Sequence, residues 1–166
     1  MRSTVRSLWV SMAFGLAAVT AQAAGQVQVT FVQPEQFTDI RDNRFDIDVN
    51  LRELKRHLEA LAARHVADGQ SLTIEVLDVD LAGDIRYNLH LLDNVRVLTG
   101  NADWPRIKLR ATLESAGQPV RRIEQTVADM AYLQRLDRSN AGDFLRYEKR
   151  MLEEWFTAQF GQPTAQ

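Results

Sequence analysis

The sequence predicts an α+β fold in two layers: a mixed, mostly antiparallel sheet of about five strands, one long helix after the first strand, and C-terminal helices packed on one face. Three observations lead there. Apolar residues from Ile47 to Leu61 advance by three or four positions, as in an amphipathic helix. Segments before and after that stretch alternate with period two, and the C-terminal region returns to helical spacing.

The first segment is set apart from the fold. Arg2 and Arg6 precede the apolar run Leu8 to Val19, which closes in Thr20-Ala21-Gln22-Ala23. This is the layout of a secretory signal peptide over residues 1–23. Cleavage is expected after Ala23, because small residues at Ala21 and Ala23 fit the peptidase subsites, whereas a cut after Ala24 would place Gln22 in the upstream one. The run is shorter than the roughly 20 helical residues that cross hydrocarbon, so no transmembrane anchor is expected. Residues 24–166 then read as a single domain with a tail after about Gly161.

Residues 26 to 32 alternate and are rich in β-branched side chains, and Pro34 closes them as an opening strand. Asn43, three residues before Asp46, reads as a helix start. Ile47, Leu51, Leu54, Leu58 and Leu61 form the apolar stripe of the long helix, which Gly69 ends. The next strand, Leu72 to Leu81, changes phase: even positions are apolar through Val76, then odd ones. A regular strand would point Asp78 and Asp80 into the face of Leu72, Ile74 and Val76, so a bulge near Val76 and Leu77 is expected. If the first two strands are parallel, the unit is a right-handed crossover.

Between Ala82 and Asp103 the pattern is poor: Gly83-Asp84 and Asp93-Asn94 read as turns, Val95 to Leu98 as a short strand and Thr99-Gly100-Asn101 as a loop. Ile107, Leu109, Ala111 and Leu113 then alternate with polar residues as a half-buried strand. Ser115-Ala116-Gly117 reads as a three-residue hairpin loop with Gly117 left-handed, and Val120 to Val127 return antiparallel. Asp129 caps a short helix through Leu136, and Ser139-Asn140 start the last helix, which Gly161 and Pro163 end.

Charge and motif content exclude several functions. With 20 Lys+Arg against 22 Asp+Glu, and two of those arginines in the leader, the chain lacks the basic footprint of a nucleic-acid binder. The absence of cysteine excludes a lipid on a lipobox cysteine, a disulfide framework and thiol catalysis. His57, His65 and His90 have no zinc-helix spacing, and no nucleophile elbow or phosphate-cradling glycine loop occurs. His65 continues the long helix's apolar stripe and reads as packing. Asp78, Asp80 and Asp84 resemble a calcium loop only in part, because Ala82 and Leu89 stand where oxygen donors belong. No metal or cofactor is expected.

Two surfaces draw notice. Arg106, Lys108 and Arg110 share one strand face, and the hairpin adds Arg122 beside them. This stripe suits an anionic partner such as a lipid headgroup, a glycan phosphate or an acidic protein patch; with Glu124 pairing across to Lys108, it is equally a solvated face. On the last helix, Phe144, Leu145, Tyr147, Met151, Leu152, Trp155 and Phe156 cover an arc wider than one core stripe. Either the helix is wedged between the sheet and the long helix, or part of the arc meets a partner or a second copy in a homodimer.

Asp78-Val79-Asp80-Leu81-Ala82-Gly83, Trp104-Pro105-Arg106-Ile107, Asp129-Met130-Ala131-Tyr132-Leu133, and Leu145-Arg146-Tyr147-Glu148-Lys149-Arg150-Met151-Leu152 with Trp155-Phe156 together resemble the secreted proteobacterial domain-of-unknown-function family 3016 (DUF3016). The resemblance spans nearly the whole chain after the leader and is most specific in the Arg-Tyr-Glu-Lys-Arg run. It implies a periplasmic protein of a Gram-negative bacterium, and it carries over no catalytic or binding residue.

Three functions follow as expectations. The first is a non-enzymatic binding or accessory module for an envelope protein, glycan or lipid headgroup. The second is an envelope hydrolase using Asp78, Asp80 or His90, with Asp84 or Asp93 beside the histidine. In the third, a purely structural domain, Arg146, Glu148 and Lys149 brace Asp78 and Asp80 as a polar cluster. Expressed with its leader in a Gram-negative host, the chain should be recovered from the periplasmic fraction with Ala24 as its first residue by N-terminal sequencing. A membrane-bound product retaining Met1 would overturn the signal-peptide reading.

Overall fold

A computed structural model of the chain describes residues 25–41, 47–88, 90, 93–134 and 142–162. Its centre is the strand Gln70–Asp80 (β2), which buries Leu72, Ile74, Val76 and Val79 on one side. Strand Gln26–Phe31 (β1) runs parallel to β2, and helix Ile47–His65 (α1) makes the crossover between them. Strands Arg106–Ser115 (β5) and Arg121–Ala128 (β6) extend the sheet antiparallel in the order β1-β2-β5-β6. The sheet is mixed, as expected, with one parallel pairing.

The expected bulge is present. Val76 opposes Leu109 and Asp78 opposes Lys108, which leaves Leu77 without a partner on β5. Skipping one residue keeps Val79 inward with Leu72, Ile74 and Val76 and turns Asp78 and Asp80 onto the other face. Two buried like charges are thereby avoided, a cost of several kcal/mol.

Both helices cover the face that carries these apolar residues. Leu54, Leu58, Leu61 and Ala62 of α1 are buried against it, as the stripe predicts. Helix Arg146–Phe160 (α2) lies against both α1 and β6. Phe156 stacks 5.6 Å from His65 of α1, and Trp155 Nε1 donates to Gln125 Oε1 of β6 at 3.0 Å. This two-sided packing accounts for the wide apolar arc, while Glu153, Glu154 and Ala158 face solvent. Among the described residues no helix is long and apolar enough to cross a membrane.

Several sequence expectations are corrected. Among the described residues the main sheet has four strands where about five were expected, and Asp84–Asn88 (β3) and Asp93–Val97 (β4) form a separate two-stranded hairpin. Asp93-Asn94 is therefore part of a strand, paired with Asn88 and Tyr87, and not a turn. Ile85 and Tyr87 of β3 are exposed, so their alternation marks no core face. The β5–β6 connection runs over residues 116–120 and is longer than the expected three residues, although Gly117 has the expected positive φ of 73°. After β6 the chain makes turns through Gln134 where a helix was expected; Asp129 still caps them, its Oδ1 accepting the Ala131 N–H at 3.1 Å. Only one C-terminal helix is described; it starts at Arg146, where Asp143 Oδ1 accepts the Leu145 N–H at 3.0 Å, and ends at Gly161 as expected. The leader, the Asn43 cap and the Ser139-Asn140 start lie outside the described residues.

Two glycines with similar φ separate backbone strain from crowding. Gly117 (φ 73°) has open space where a Cβ would sit, whereas at Gly83 (φ 85°) a Cβ would lie 2.6 Å from Leu98 Cδ2 and 2.7 Å from the Val97 carbonyl oxygen. Gly117→Ala should cost about 1–2 kcal/mol, the strain of the left-handed conformation alone. Gly83→Ala should cost clearly more in denaturant unfolding, because β4 must also move; equal losses would contradict the packing of the hairpin on the end of β2.

Candidate functional site

The sheet face away from the helices carries the basic residues. Arg106 opposes Asp80 and binds its carboxylate, with Nε to Oδ2 at 2.9 Å, and lies over the Trp104 ring. Lys108 Nζ is 3.5 Å from Glu124 Oε1, the cross-strand pair anticipated above. Arg110 bridges Glu75 at 3.1 Å and Glu124 at 3.0 Å, and its donated hydrogen bonds hold the Glu124 carboxyl below the usual range. Arg122 opposes Thr112 on the same face. Three of the four cations thus sit in carboxylate pairs, and the expected basic stripe is a ladder of alternating charge. Such exposed pairs contribute little each.

The acids and the histidine of the hydrolase reading are not assembled. Asp78 accepts the Thr38 N–H at 2.7 Å, the Thr38 hydroxyl at 2.8 Å and the Val79 N–H at 2.9 Å. Asp80 holds Arg106. Asp84 is exposed, 3.8 Å from Arg86. His90 is exposed in the turn beyond β3, its backbone N–H donating to Asn88 Oδ1. Among the described residues nothing joins His90 to Asp78, Asp80 or Asp84, and no group of three or more His, Cys, Asp or Glu could hold a metal ion. The proposed bracing is also corrected: Lys149 pairs with Asp143 at 2.6 Å and Glu53 at 3.5 Å, and Arg146 donates to the Tyr147 hydroxyl at 2.9 Å, so neither reaches Asp78 or Asp80.

Glu148 does reach the end of β2, and there the structure concentrates buried charge. Glu148 is 1% exposed on the inner face of α2. Its Oε1 accepts the Ala82 N–H at 2.7 Å, and its Oε2 has no hydrogen-bond partner. Burial holds this carboxyl above its ordinary value. The carbonyls of Ala82 and Gly83 accept from Arg96 Nη1 at 3.3 and 2.7 Å, while Arg96 Nη2 meets Asp39 at 2.8 Å. Desolvation pushes the Asp39 carboxyl up in spite of Arg96. Asp39 in turn lies beside Asp80, its carbonyl accepting the Leu81 N–H at 3.0 Å.

Two further buried acids close this end of the domain. Asp103 accepts the Thr99 N–H at 2.6 Å and the Thr99 hydroxyl at 2.9 Å; burial pushes its carboxyl up, but the hydrogen bonds outweigh burial and leave it below the ordinary value. Asp129 holds Arg150 of α2 at 3.0 Å, and Arg150 also donates to the Tyr132 carbonyl at 2.8 Å. The Tyr132 hydroxyl, pushed up to about 12 by burial, accepts the Gly100 N–H, and its ring meets Tyr147 edge-on at 4.9 Å.

Between Glu148 and the surface lies a cavity of ≈ 150 Å³ lined by Leu81, Ala82, Arg96, Leu98, Phe144, Arg146, Tyr147 and Glu148. Sequence reading singled out Arg146 and Glu148 but missed Asp39, Arg96, Asp103, Tyr132 and Arg150. One signal was available: Glu148 falls three residues after Leu145 and four before Leu152, inside the apolar arc of α2.

Compared with known proteins, the chain matches the family described as Protein of unknown function (DUF3016) over residues 25–158, in agreement with the resemblance of its motifs. Among curated proteins none matches. The four sequence pieces that carry the resemblance meet at the polar end: Ala82 with Glu148, Asp80 with Arg106, the Asp129 N–H with the Pro105 carbonyl, and Asp129 with Arg150.

The raised Glu148 carboxyl has a measurable consequence. The neutral form suits the buried site, so its contribution to stability is complete below the ordinary value of 4.5 and is lost as pH rises through the raised value. Glu148→Gln keeps an acceptor for the Ala82 N–H without the charge. Its melting temperature should match the native chain's near pH 4 and exceed it increasingly toward neutrality; Asp39 titrates in both chains and cancels in the difference. A constant offset at every pH would contradict the assignment.

Proposed function

We propose, for a chain that belongs to the DUF3016 family, that it is a non-enzymatic binding or accessory module for an envelope component in the periplasm, and that it binds at the polar end of the sheet. One observation carries this reading: a fully buried glutamate keeps a carboxyl oxygen without a partner beside a cavity, at the place where four separate pieces of the chain converge. A buried polar atom left unpaired costs about 1–3 kcal/mol, and domains retain such costs mostly where they serve a function. The exposed ladder of Arg106, Lys108 and Arg110 is satisfied by the chain's own carboxylates, which weakens its claim as an anion site. Asp78 and Asp80 are held in structural hydrogen bonds, which weighs against the hydrolase reading.

The test compares two variants exported to the periplasm and purified without denaturation: Arg146→Ala with Tyr147→Ala at the cavity, and Arg106, Lys108 and Arg110 all to Ala on the open face. Native mass spectrometry should find a co-purifying species on the native chain and on the face variant, and find it lost from the cavity variant. The reverse pattern would move the binding end to the sheet face.

A further inference from the structure

The cavity at the polar end has a floor and a mouth. Leu81, Ala82 and Glu148 are buried and form the floor; Leu98, Phe144, Arg146 and Tyr147 are half-buried and form the mouth. A cavity of ≈ 150 Å³ suits a ligand about the size of benzene, roughly six non-hydrogen atoms.

The charges on the wall are of both signs. Glu148 offers Oε2 from the floor. Arg146 sets a guanidinium at the mouth, 4.4 Å from the centre of the Tyr147 ring. Arg96, on the far wall, meets Asp39 behind it at 2.8 Å, and Arg146 itself donates to the Asp143 carbonyl at 3.4 Å and the Tyr147 hydroxyl at 2.9 Å. A simple cation entering here would face both arginines, and a simple anion would face the Glu148 carboxylate. A ligand with one charge of each sign complements both ends. Leu81, Leu98 and Phe144 supply the apolar wall for a short alkyl group.

We propose that this cavity binds a small zwitterion carrying an ammonium and a carboxylate, a free amino acid with a short side chain, with its ammonium on Glu148 and its carboxylate toward Arg146. This rests on the reading of the polar end as the binding end. The ammonium gives Glu148 Oε2 the donor it lacks and takes the place of the proton that burial favours. The charges that act on Glu148 are Arg96 of β4 and Asp143 ahead of α2, and Arg146 of α2 shares the cavity lining; an ammonium pairs with the ionised carboxyl, so binding strengthens as pH rises through the Glu148 titration.

Isothermal titration calorimetry of the chain from residue 24 tests this near neutral pH, with glycine, L-alanine and D-alanine as zwitterions and ethylamine and propionate as single-charge probes. At least one zwitterion should bind saturably, and both single-charge probes should bind at least about tenfold more weakly, a difference of about 1.4 kcal/mol. Glu148→Gln should lose about tenfold or more, as should Leu98→Phe, which narrows the mouth and leaves every polar group in place. Circular dichroism confirms that each variant is folded. The proposal is overturned if no zwitterion binds, if ethylamine or propionate binds as tightly, or if Glu148→Gln binds like the native chain. If the amino acids fail while the co-purifying species still depends on Arg146 and Tyr147, the ligand class falls and the binding end stands.

Discussion

β2 must keep an apolar face toward the helices over its whole length while carrying two aspartates near its end, and a regular strand cannot do both. The skipped residue at Leu77 resolves the conflict. Upstream, Leu72, Ile74 and Val76 pack under α1; downstream, Val79 and Leu81 continue the same core. The rest of the molecule follows from that step. With Asp78 turned outward, it ties down the chain leaving β1 through Thr38; with Asp80 turned outward, it meets Arg106. The strand then delivers Ala82 and Gly83 to Glu148 and Arg96. Without the slip, the parity of the later strand residues would reverse, and Asp78 and Asp80 would point into the core face.

The two ends of the sheet differ in kind. Near Gln70 and Ser115 the contacts are those of an ordinary strand end, such as the 3.1 Å bond between Gln70 Nε2 and Ser115 Oγ. Beyond Asp80, buried acids (Asp103, Asp129 and Glu148) gather with the half-buried Asp39, Arg96 and Arg150. Desolvating such charges costs several kcal/mol per ion, which pairing only partly returns, and an apolar core of the same volume would often be as stable. The pairs do fix geometry. Arg150 binds α2 to the turn after β6, and Arg96 binds the β3–β4 hairpin to the segment after β1. A small sheet with two helices thereby holds four chain segments in one arrangement around a small cavity.

What the sequence made legible was what periodicity reports. The stripe of α1, the alternation of β5 and the phase change in β2 each express a burial pattern, and the structure has all three. The β3–β4 hairpin was misread for the same reason: Ile85 and Tyr87 lie at the surface, so no core parity marks their strand. The site was less legible because its members come from segments far apart in the chain. Arg96 sits between Val95 and Val97 in a short strand, and nothing local says that its guanidinium turns inward to three carbonyls. The basic stripe was half visible. Glu124 could be paired with Lys108 from the hairpin alone, but Glu75 beside Arg110 depends on β2 lying next to β5, a long-range pairing.

Glu148 shows why charge within an apolar stripe is more informative than charge on a surface. Arg106, Lys108 and Arg110 look like a site because three cations align, yet alignment on a solvated strand carries almost no cost, and the neighbouring strands supply acids to meet them. Glu148 aligns with nothing. Its position on the inner side of α2 obliges the fold to desolvate a carboxyl, and the fold answers with the Ala82 N–H on Oε1 and no hydrogen-bond partner on Oε2. A mainly structural role would be better served by a residue whose every polar atom is matched. The incomplete match at Glu148, beside a cavity with a guanidinium at its mouth, leaves room for a partner that brings its own donor.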